Sequence, residues 1–285
     1  MPYEFRLQTN AGPELEKVTA LLRRVWPNNR RFDLKFIEWL YRDNPNGQAI
    51  GYNAFHGDDV AAHYVVVPFA VEIEGQIKKS ALALNAAVDE RHRGQSLFLK
   101  LAELTNERAV ELGVDHIVAI ANASSTPGFL RHLGFSLVTP LDVRFCLTPP
   151  RPSGDVIDWQ WRRKWSAADL SWRLANPGGH YWLAANDDFS CVAGGTKYPG
   201  VRAVLKVETD PLLRGQIEKQ LARRATWPPL LWFGKSSELQ SPASIAVPMR
   251  LRPSPFNFIF RDLTARRTRL APERVHFEAA DFDVM

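Results

Sequence analysis

Apolar positions in the first part of the chain recur every three or four residues. One set is Leu15, Val18, Leu21, Leu22 and Val25. In a second set, Phe36, Ile37 and Leu40 share one face between residues 32 and 41. Because this spacing places the side chains on one side of a helix, it predicts two amphipathic helices, the second stopped by Asn-Pro-Asn-Gly at 44–47.

The pattern changes to strands between residues 51 and 88. Short β-rich runs, YNAF, AAHYVVVPFAVEI and KKSALALNAAV, are separated by the turn-forming segments HGDD and EGQ. Runs of this kind joined by short turns are typical of hairpins. The segment therefore predicts an antiparallel meander.

Helix and strand patterns alternate after residue 88. Leucines along 97–112 mark a long helix that we expect to close at Gly113, a residue suited to the left-handed position past a helix end. A buried strand, HIVAIAN, follows, and then a short helix with a hydroxyl cap from Ser124–Thr126 and Pro127 in its first turn. With a further strand from Phe135, this order predicts an α/β sandwich built on one sheet.

A stretch rich in proline separates the two halves of the sequence. Residues 149–154 read PPRPSG, a composition that breaks helices and strands. We therefore expect one domain at 1–148 and a second, smaller one at 155–285.

Two short segments of the first half recur, in the same order, in the second half. FIEWLYRDNPNG at 36–47 is echoed by DLSWRLANPGG at 169–179, and HRGQSLFLKLAEL at 92–104 by LRGQIEKQLARRA at 213–225. One interpretation is a duplicated fold. The second copy would be degenerate, because it lacks the paired arginines before its glycine.

Composition excludes several classes of protein. A hydrophobic share of 45% and a charged share of 24% over 285 residues are those of an ordinary globular protein, not of a disordered or fibrous one. The N-terminus has no secretory signal, and the longest apolar run, VVVPFAV, is too short to span a bilayer. Only two cysteines, Cys146 and Cys191, occur, both in apolar surroundings. These features predict a cytoplasmic protein with reduced thiols, no metal site and no membrane insertion.

The net charge of +5 suggests an anionic partner, although the signal is weak by itself. Three tryptophans, Trp159, Trp161 and Trp165, crowd the basic segment DWQWRRKW and could stack nucleobases. Apolar packing of a connecting segment explains them better, so we expect no nucleic-acid partner.

The segment DERHRGQSLFLK at 89–100 joins a strand directly to an amphipathic helix through a basic turn. A helix N-terminus leaves backbone N–H groups unpaired and carries a partial positive charge, so a turn of this kind can wrap an anion. Gly94 admits a close approach, Ser96 is small, and Arg91 and Arg93 add charge that suits a diphosphate. The Gly-Lys-Ser/Thr triplet of a Walker loop and the three spaced glycines of a dinucleotide fingerprint are both lacking.

The pattern RxxGxS at Arg91, Gly94 and Ser96 resembles the RxxGxG/A pyrophosphate loop of the GNAT superfamily of acetyl-CoA-dependent acyltransferases. Downstream, IVAIAN with Asn122 and the segment PGFLRHLGF resemble that superfamily's next strand and following helix. The resemblance covers residues 3–146 and, more loosely, the remainder. It implies a mixed, largely antiparallel sheet flanked by helices, with a second, smaller GNAT-like α/β domain.

The resemblance also implies a set of positions that bind acetyl-CoA or another acyl-CoA. They are Ala87, Val88, Arg91, Arg93, Gly94, Gln95, Ser96, Leu97, Asn122 and Phe129. Backbone groups of the loop would hold pantetheine and pyrophosphate, and Asn122 would meet the cofactor arm. In the family, the two strands that bear these segments part, and the thioester lies in the gap with its carbonyl facing a backbone N–H that stabilises the oxyanion.

Side chains for proton transfer are harder to assign. Many members of the family carry, four residues before the glycine of Gly-Phe, a tyrosine that can protonate the leaving thiolate, and this chain has Leu130 there. Candidates for the base are His63 on the meander and, less well placed, His92 or Asp89 beside the loop. Asn85 could orient the substrate or a water. The catalytic candidates are His63, Asn85 and Asn122.

Each catalytic candidate also has a structural interpretation. His63 could be a hydrogen-bonded core histidine, Asn85 a solvent-facing polar residue, and Asn122 a strand-end residue that satisfies backbone groups.

The resemblance of the loop and of the Asn122 segment implies an N-acyltransferase that moves an acetyl group from acetyl-CoA to the primary amine of a small molecule. The segments WLYRDNP and PGFLRHLGF resemble those of a GNAT subgroup associated with bacterial cell-envelope polysaccharide genes. This resemblance implies an amino sugar as the acceptor. Amino acids, polyamines and a protein amine stay open. The alternative is a GNAT-like module that binds CoA or a partner without turnover. The oligomeric state is also open, a homodimer included.

Overall fold

The computed structural model of the chain describes residues 2–221 and 229–282. Its contacts group the chain into two units. Unit 1 consists of Met1–Ala70, Lys78–Leu137 and Ile259–Arg269, and unit 2 of Val71–Ile77, Val138–Phe258 and Leu270–Met285. The proline-rich segment predicted to separate two domains lies inside unit 2, and a late segment of the chain returns to unit 1.

The described residues include six α-helices. These are α1 (Gly12–Val25), α2 (Leu34–Tyr41), α3 (Leu97–Glu111), α4 (Thr126–His132), α5 (Ala167–Leu174) and α6 (Pro211–Gln220). The four helices predicted in the first half of the chain are therefore confirmed. The end of the predicted repeat, residues 222–225, lies outside the described residues.

Strands occupy much of the remaining described chain. They are β1 (Glu4–Leu7), β2 (Ile50–His56), β3 (Asp59–Ile73), β4 (Gln76–Val88), β5 (His116–Ala121), β6 (Ser136–Pro140), β7 (Asp142–Cys146), β8 (Arg151–Pro152), β9 (Trp161–Arg163), β10 (Tyr181–Ala185), β11 (Ser190–Gly195), β12 (Arg202–Glu208), β13 (Leu230–Lys235), β14 (Leu239–Gln240), β15 (Ser244–Ala246), β16 (Asn257–Asp262) and β17 (Val275–Glu278).

The sheet of unit 1 has the order β1, β2, β3, β4, β5, β16, β6. β2 is antiparallel to both β1 and β3, whereas β4 and β5 are parallel. β2, β3 and β4 are neighbours in chain order, as the predicted meander requires. The insertion of β16 between β5 and β6 was not predicted, because this strand comes from near the end of the chain.

Capping and burial explain why α1 and α2 form where they do. Asp33 precedes α2 in an extended conformation, and its Oδ1 accepts a hydrogen bond from the N–H of Phe36 at 2.8 Å. Both helices bury their periodic apolar residues, including Leu22 and Ile37 at 0% exposure. Burying a side chain of this size contributes about 1.5–3 kcal/mol.

One capping prediction is wrong. Ser125 is the N-cap of α4, but its hydroxyl accepts no hydrogen bond from the helix amides. The Ser125 hydroxyl instead accepts from the backbone N–H of Asn122 at 3.2 Å. The start of α4 is therefore tied to the end of β5 rather than closed by its own cap.

Unit 2 repeats the element order of unit 1. α2, β2, β3, β4, α3 and β5 have their counterparts in α5, β10, β11, β12, α6 and β13. In both series the last two strands are parallel. The turn after each first helix is also the same, because Asn44 and Asn176 each accept a backbone N–H two residues ahead through Oδ1. These shared features support the interpretation of an internal duplication.

The three tryptophans of the basic segment and both cysteines lie in the interior of unit 2. Trp159, Trp161 and Trp165 are 8%, 0% and 8% exposed, so their rings are not available to stack nucleobases. Cys146 and Cys191 are free, buried thiols, as predicted. Among the described helices, none combines the length and the hydrophobicity that crossing a bilayer requires.

Candidate functional site

The candidate site is built where β4 and β5 lose their pairing. The ladder joins Ser80–Leu82 to His116–Val118 and, among the described residues, goes no further. β4 nevertheless continues to Val88. Within the part of β4 that pairs with β3 but not with β5, Asn85 has a φ of 52°, a left-handed conformation that is uncommon outside glycine and that redirects the strand. The ends of the two strands are therefore free to border a gap.

A short turn connects β4 to α3. The N–H of Asp89 donates to the carbonyl of Ala61 at 2.9 Å, which fixes the end of β4 against β3. A single 3₁₀ turn follows at Glu90–His92. Gly94 (φ 79°) and Ser96 (φ 56°) then adopt left-handed conformations before α3 begins. A Cβ at Gly94 would meet no atom within 4 Å, so this turn faces open space.

Four consecutive backbone amides are available in this turn. The N–H groups of Gly94, Gln95, Ser96 and Leu97 have no acceptor among residues 2–221 and 229–282. They open a helix of 15 residues, whose dipole adds partial positive charge at this end. Unpaired amides at a helix start form an anion-binding site, and their spacing suits the oxygens of a diphosphate.

The two arginines of the turn are bound to carboxylates. Arg91 reaches Asp89 with Nε and Nη2, at 3.0 and 2.9 Å, and Nη1 of Arg93 lies 3.5 Å from Glu90. Both guanidinium groups are more than half exposed. The arginines therefore line the turn, and the unpaired amides are its strongest feature.

The residues proposed as bases are all engaged. Burial lowers the pKa of His63 to about 3, and both of its ring nitrogens have partners, Asn53 at 2.6 Å and Tyr41 at 2.9 Å. Hydrogen bonds from Arg91 hold the pKa of Asp89 well below its ordinary value. Nδ1 of His92 is hydrogen bonded to the Tyr3 hydroxyl at 2.9 Å. His63 is therefore a neutral, fully hydrogen-bonded ring, and Asp89 is held as a carboxylate by arginine, so neither is suited to accept a proton from the substrate.

Asn122 lies at the end of β5 and is exposed. Its Oδ1 accepts a hydrogen bond from the N–H of Ser125 at 2.8 Å, and its carbonyl accepts from the N–H of Thr126 at 3.0 Å. The Nδ2 of Asn122 has no acceptor in the part of the chain that the structure describes. One side of this amide is thus structural and the other is open.

The remaining predicted cofactor positions differ in exposure. Ala87, Leu97 and Phe129 are buried at 1%, 3% and 5%, whereas Val88 is half-buried. Phe129 packs edge-to-face on Phe98 with 5.2 Å between ring centroids. These side chains supply the apolar wall behind the turn.

Sequence reasoning missed Tyr41. Its ring counts as an apolar position of α2, and it is fully buried. Its hydroxyl is hydrogen bonded to His63 and also accepts from Asn85 Nδ2 at 2.8 Å. A buried tyrosine hydroxyl usually pairs with a polar group, so the polar His63 and Asn85 inside apolar strands were the available signal.

No protein-family model matches the sequence, and no curated protein matches it. Solved structures do resemble it. A GCN5-related N-acetyltransferase from Anabaena variabilis aligns with a TM-score of 0.61 at 12% identity, covering 93% of this chain and 74% of its own. A protein of unknown function from Enterococcus faecalis, described as a probable N-acyltransferase, aligns with a TM-score of 0.58 at 10% identity, covering 92% and 73%.

Eis1 from Mycobacterium abscessus gives a similar result, with a TM-score of 0.56 at 12% identity over 92% of this chain and 74% of its own. Likeness at such low identity concerns the fold. The chain has the fold of the GCN5-related N-acetyltransferases, a mixed α/β fold with a large, mostly antiparallel sheet flanked by helices.

Proposed function

We propose that this protein is an acyl-CoA-dependent N-acyltransferase, with acetyl-CoA as the donor and the primary amine of a small molecule as the acceptor. The observation that carries the proposal is the run of four unpaired amides from Gly94 to Leu97, at the start of a long helix and next to strands that lose their pairing. Unit 1 would hold the donor, with the diphosphate on these amides.

The residues fit the expected ligand on physical grounds. Gly94 leaves space for a close approach, and Ser96 contributes a small side chain that makes no capping hydrogen bond of its own. The thioester arm would follow the end of β4 that does not pair with β5, toward Asn85. Asn122, just after the end of β5, would lie on the other side of the gap. In this arrangement backbone N–H groups along β4 are the donors available to stabilise an oxyanion.

The reaction needs little covalent help from the protein. The amine nitrogen bonds to the acyl carbon, the carbon–sulfur bond breaks, and the amine proton ends on the released thiol. Because His63 is buried and neutral, and Asp89 is paired with arginine, proton transfer would pass through solvent rather than through either side chain. Positioning of the two reactants is then the main catalytic contribution.

An amino sugar of a cell-envelope polysaccharide is the acceptor we favour, on the resemblance of two sequence segments alone. Amino acids and polyamines are the other classes to test. We also propose a cytoplasmic location. The internal repeat supports a degenerate second GNAT-like copy in unit 2.

A second candidate is a module that binds CoA without turnover. It is favoured by Leu130 at the position of the family's tyrosine and by the engagement of His63 and Asp89. Thiol release from acetyl-CoA in the presence of an amine separates the two candidates, because a binding module releases none.

Acetyl-CoA binding by titration calorimetry tests the proposal, with Gly94→Val and Gly113→Val as a matched pair. Both glycines have positive φ and open space around Cβ, so both substitutions cost about 1–2 kcal/mol of backbone strain. Only Gly94→Val should weaken acetyl-CoA binding, by about thirtyfold or more, because a side chain there fills the approach to the amides. Equal binding by the two variants, or none by the wild type, would overturn the proposal.

A further inference from the structure

A series of hydrogen bonds runs through the interior of unit 1 and ends at the part of β4 that does not pair with β5. It links Glu14, Asn53, His63, Tyr41 and Asn85. The three middle residues are at most 1% exposed. The five side chains come from five different elements, α1, β2, β3, α2 and β4. This series of hydrogen bonds therefore forms only in the folded protein.

Glu14 determines which atom donates and which accepts in every hydrogen bond of this series. The carboxylate of Glu14 accepts hydrogen bonds and donates none, so the Asn53 atom 2.6 Å from Oε1 must be the amide nitrogen. Gln8 gives the same answer independently, because its own nitrogen donates to the carbonyl of Thr9 and its oxygen lies 2.7 Å from the same Asn53 atom. The Oδ1 of Asn53 therefore faces His63.

The fixed orientation of Asn53 sets the tautomer of His63. Nδ1 lies 2.6 Å from Asn53 Oδ1, so Nδ1 carries the proton and Nε2 is an acceptor. Burial lowers the pKa of His63 to about 3, which keeps the ring in this neutral form. The Tyr41 hydroxyl, 2.9 Å from Nε2, must then donate to it.

The hydroxyl of Tyr41 passes the orientation on to Asn85. Since its hydrogen points at His63, the Tyr41 oxygen can only accept, and it does so from Asn85 Nδ2 at 2.8 Å. The amide oxygen of Asn85 is consequently turned away from Tyr41. It has no hydrogen-bond partner among the described residues, and Asn85 is half-buried beyond the last residue of β4 that pairs with β5.

We propose that Asn85 Oδ1 binds the attacking amine of the acceptor substrate, and that Tyr41, His63 and Asn53 are positioning residues that hold Asn85 with its oxygen toward that amine. This inference rests on the proposed N-acyltransferase function. It specifies the acceptor subsite as a single hydrogen-bond acceptor without charge. An uncharged acceptor binds an N–H of the amine without stabilising the unreactive ammonium form as a carboxylate would.

Steady-state kinetics on full-length protein test the inference through Tyr41→Phe, Asn85→Ala and the double variant. D-glucosamine, spermidine and L-lysine are screened first, and the amine with the highest kcat/KM is used. Tyr41→Phe leaves the Asn85 amide free to rotate, so the KM for the amine should rise about tenfold while the KM for acetyl-CoA stays within about twofold. Asn85→Ala should have the same effect.

The double variant separates positioning from a general loss of structure. If Tyr41 acts through Asn85, then Tyr41→Phe should have no further effect on the amine KM once Asn85 is alanine. Tyr64→Phe is the matched control, because Tyr64 is a fully buried tyrosine on the same sheet whose hydroxyl makes no hydrogen bond to the described residues. We expect this control to match the wild type.

Three outcomes would overturn the inference. If the effects of Tyr41→Phe and Asn85→Ala on the amine KM are additive, Tyr41 does not act through Asn85. If Asn85→Ala leaves the amine KM unchanged, Asn85 is not part of the acceptor subsite, and this result stands even if Tyr41→Phe fails to fold. Acetyl-CoA binding without thiol release with any of the three amines would remove the proposed function, and the acceptor subsite with it. The last outcome is distinguishable from the first two, because those require measurable turnover.

Discussion

Two oxygens of Asp89 hold the guanidinium group of Arg91, with Oδ1 3.0 Å from Nε and Oδ2 2.9 Å from Nη2. Arg24 of α1 binds the same carboxylate at 3.1 Å. Asp89 is 7% exposed, so this arrangement is a fixed part of the turn rather than a surface contact. It ties α1 to the end of β4 and orients the segment that presents the unpaired amides.

Replacing Asp89 by asparagine should destabilise the protein in a pH-dependent way. The substitution weakens two charge-assisted contacts and should cost about 1–3 kcal/mol at pH 7. Because the pKa of Asp89 is lowered in the folded state, this contribution is present above about pH 4, its ordinary range, and is lost as the pH falls below it. Urea unfolding at pH 7 and pH 3 measures the difference, which should shrink at the lower pH.

The exposed Asp155 provides the control for this measurement. Asp155→Asn should leave the free energy of unfolding within about 0.5 kcal/mol of the wild type at both pH values. A gap between Asp89→Asn and wild type that did not narrow on acidification would contradict the role given to the Asp89 carboxylate.

The corresponding turn of unit 2 predicts the number of cofactor sites. At the start of α6, Asp210 Oδ1 accepts from the N–H groups of Leu212 and Leu213 at 2.8 and 3.2 Å. Glu208 Oε1 accepts from the two preceding amides at 3.0 Å each. The protein's own carboxylates thus occupy the place that an anion would take. We expect one acetyl-CoA per chain by titration calorimetry, and a stoichiometry of two would contradict this.

The two turns also show what the sequence could and could not predict. The glycine and the small serine of the first turn are local signals, and the structure places both in left-handed conformations before α3. The occupied amides of the second turn follow from Asp210, which precedes a proline at the helix start and is readable as a cap. Capping and turn chemistry depend on neighbours in sequence, so they could be predicted.

Contacts between distant segments could not be predicted in the same way. Tyr41 and Asn85 meet only after α2 packs on the sheet, and nothing local to either residue indicates the partner. β16 joins β5 across more than a hundred residues of sequence. The apolar pattern of such a strand identifies it as a strand but does not specify its neighbour.

A buried ionic cluster in unit 2 should contribute strongly to stability. Lys206 Nζ lies 3.2 Å from carboxylate oxygens of both Glu208 and Glu278, and all three side chains are at most 9% exposed. Lys206→Met would remove the cation that both buried carboxylates share and should cost about 3–5 kcal/mol, although His276 would still bind Glu278 at 3.2 Å. The exposed Lys219 is the control, since Lys219→Met should change stability by no more than about 0.5 kcal/mol.

The same cluster predicts an acid limit for wild-type stability. The charge of Lys206 and the hydrogen bonds to Glu278 outweigh burial and lower the pKa of Glu278 to about 2. A lowered pKa contributes stability that is present above the ordinary glutamate range and is lost as pH falls from about 4 toward 2. Across this pH range the melting temperature of the wild type should fall more steeply than that of Lys206→Met. Parallel curves for the two proteins would contradict the assignment.

The structural role of Asn122 and the cofactor-binding role proposed for it can be tested separately, because they use different atoms of one amide. Asn122→Asp keeps the oxygen that accepts from Ser125 N–H, so stability should stay within about 0.5 kcal/mol of the wild type. It replaces the open Nδ2 donor by a charged acceptor, so acetyl-CoA should bind about tenfold more weakly. Asn122→Ala should lose both properties. Wild-type affinity in Asn122→Asp would restrict Asn122 to closing the turn after β5.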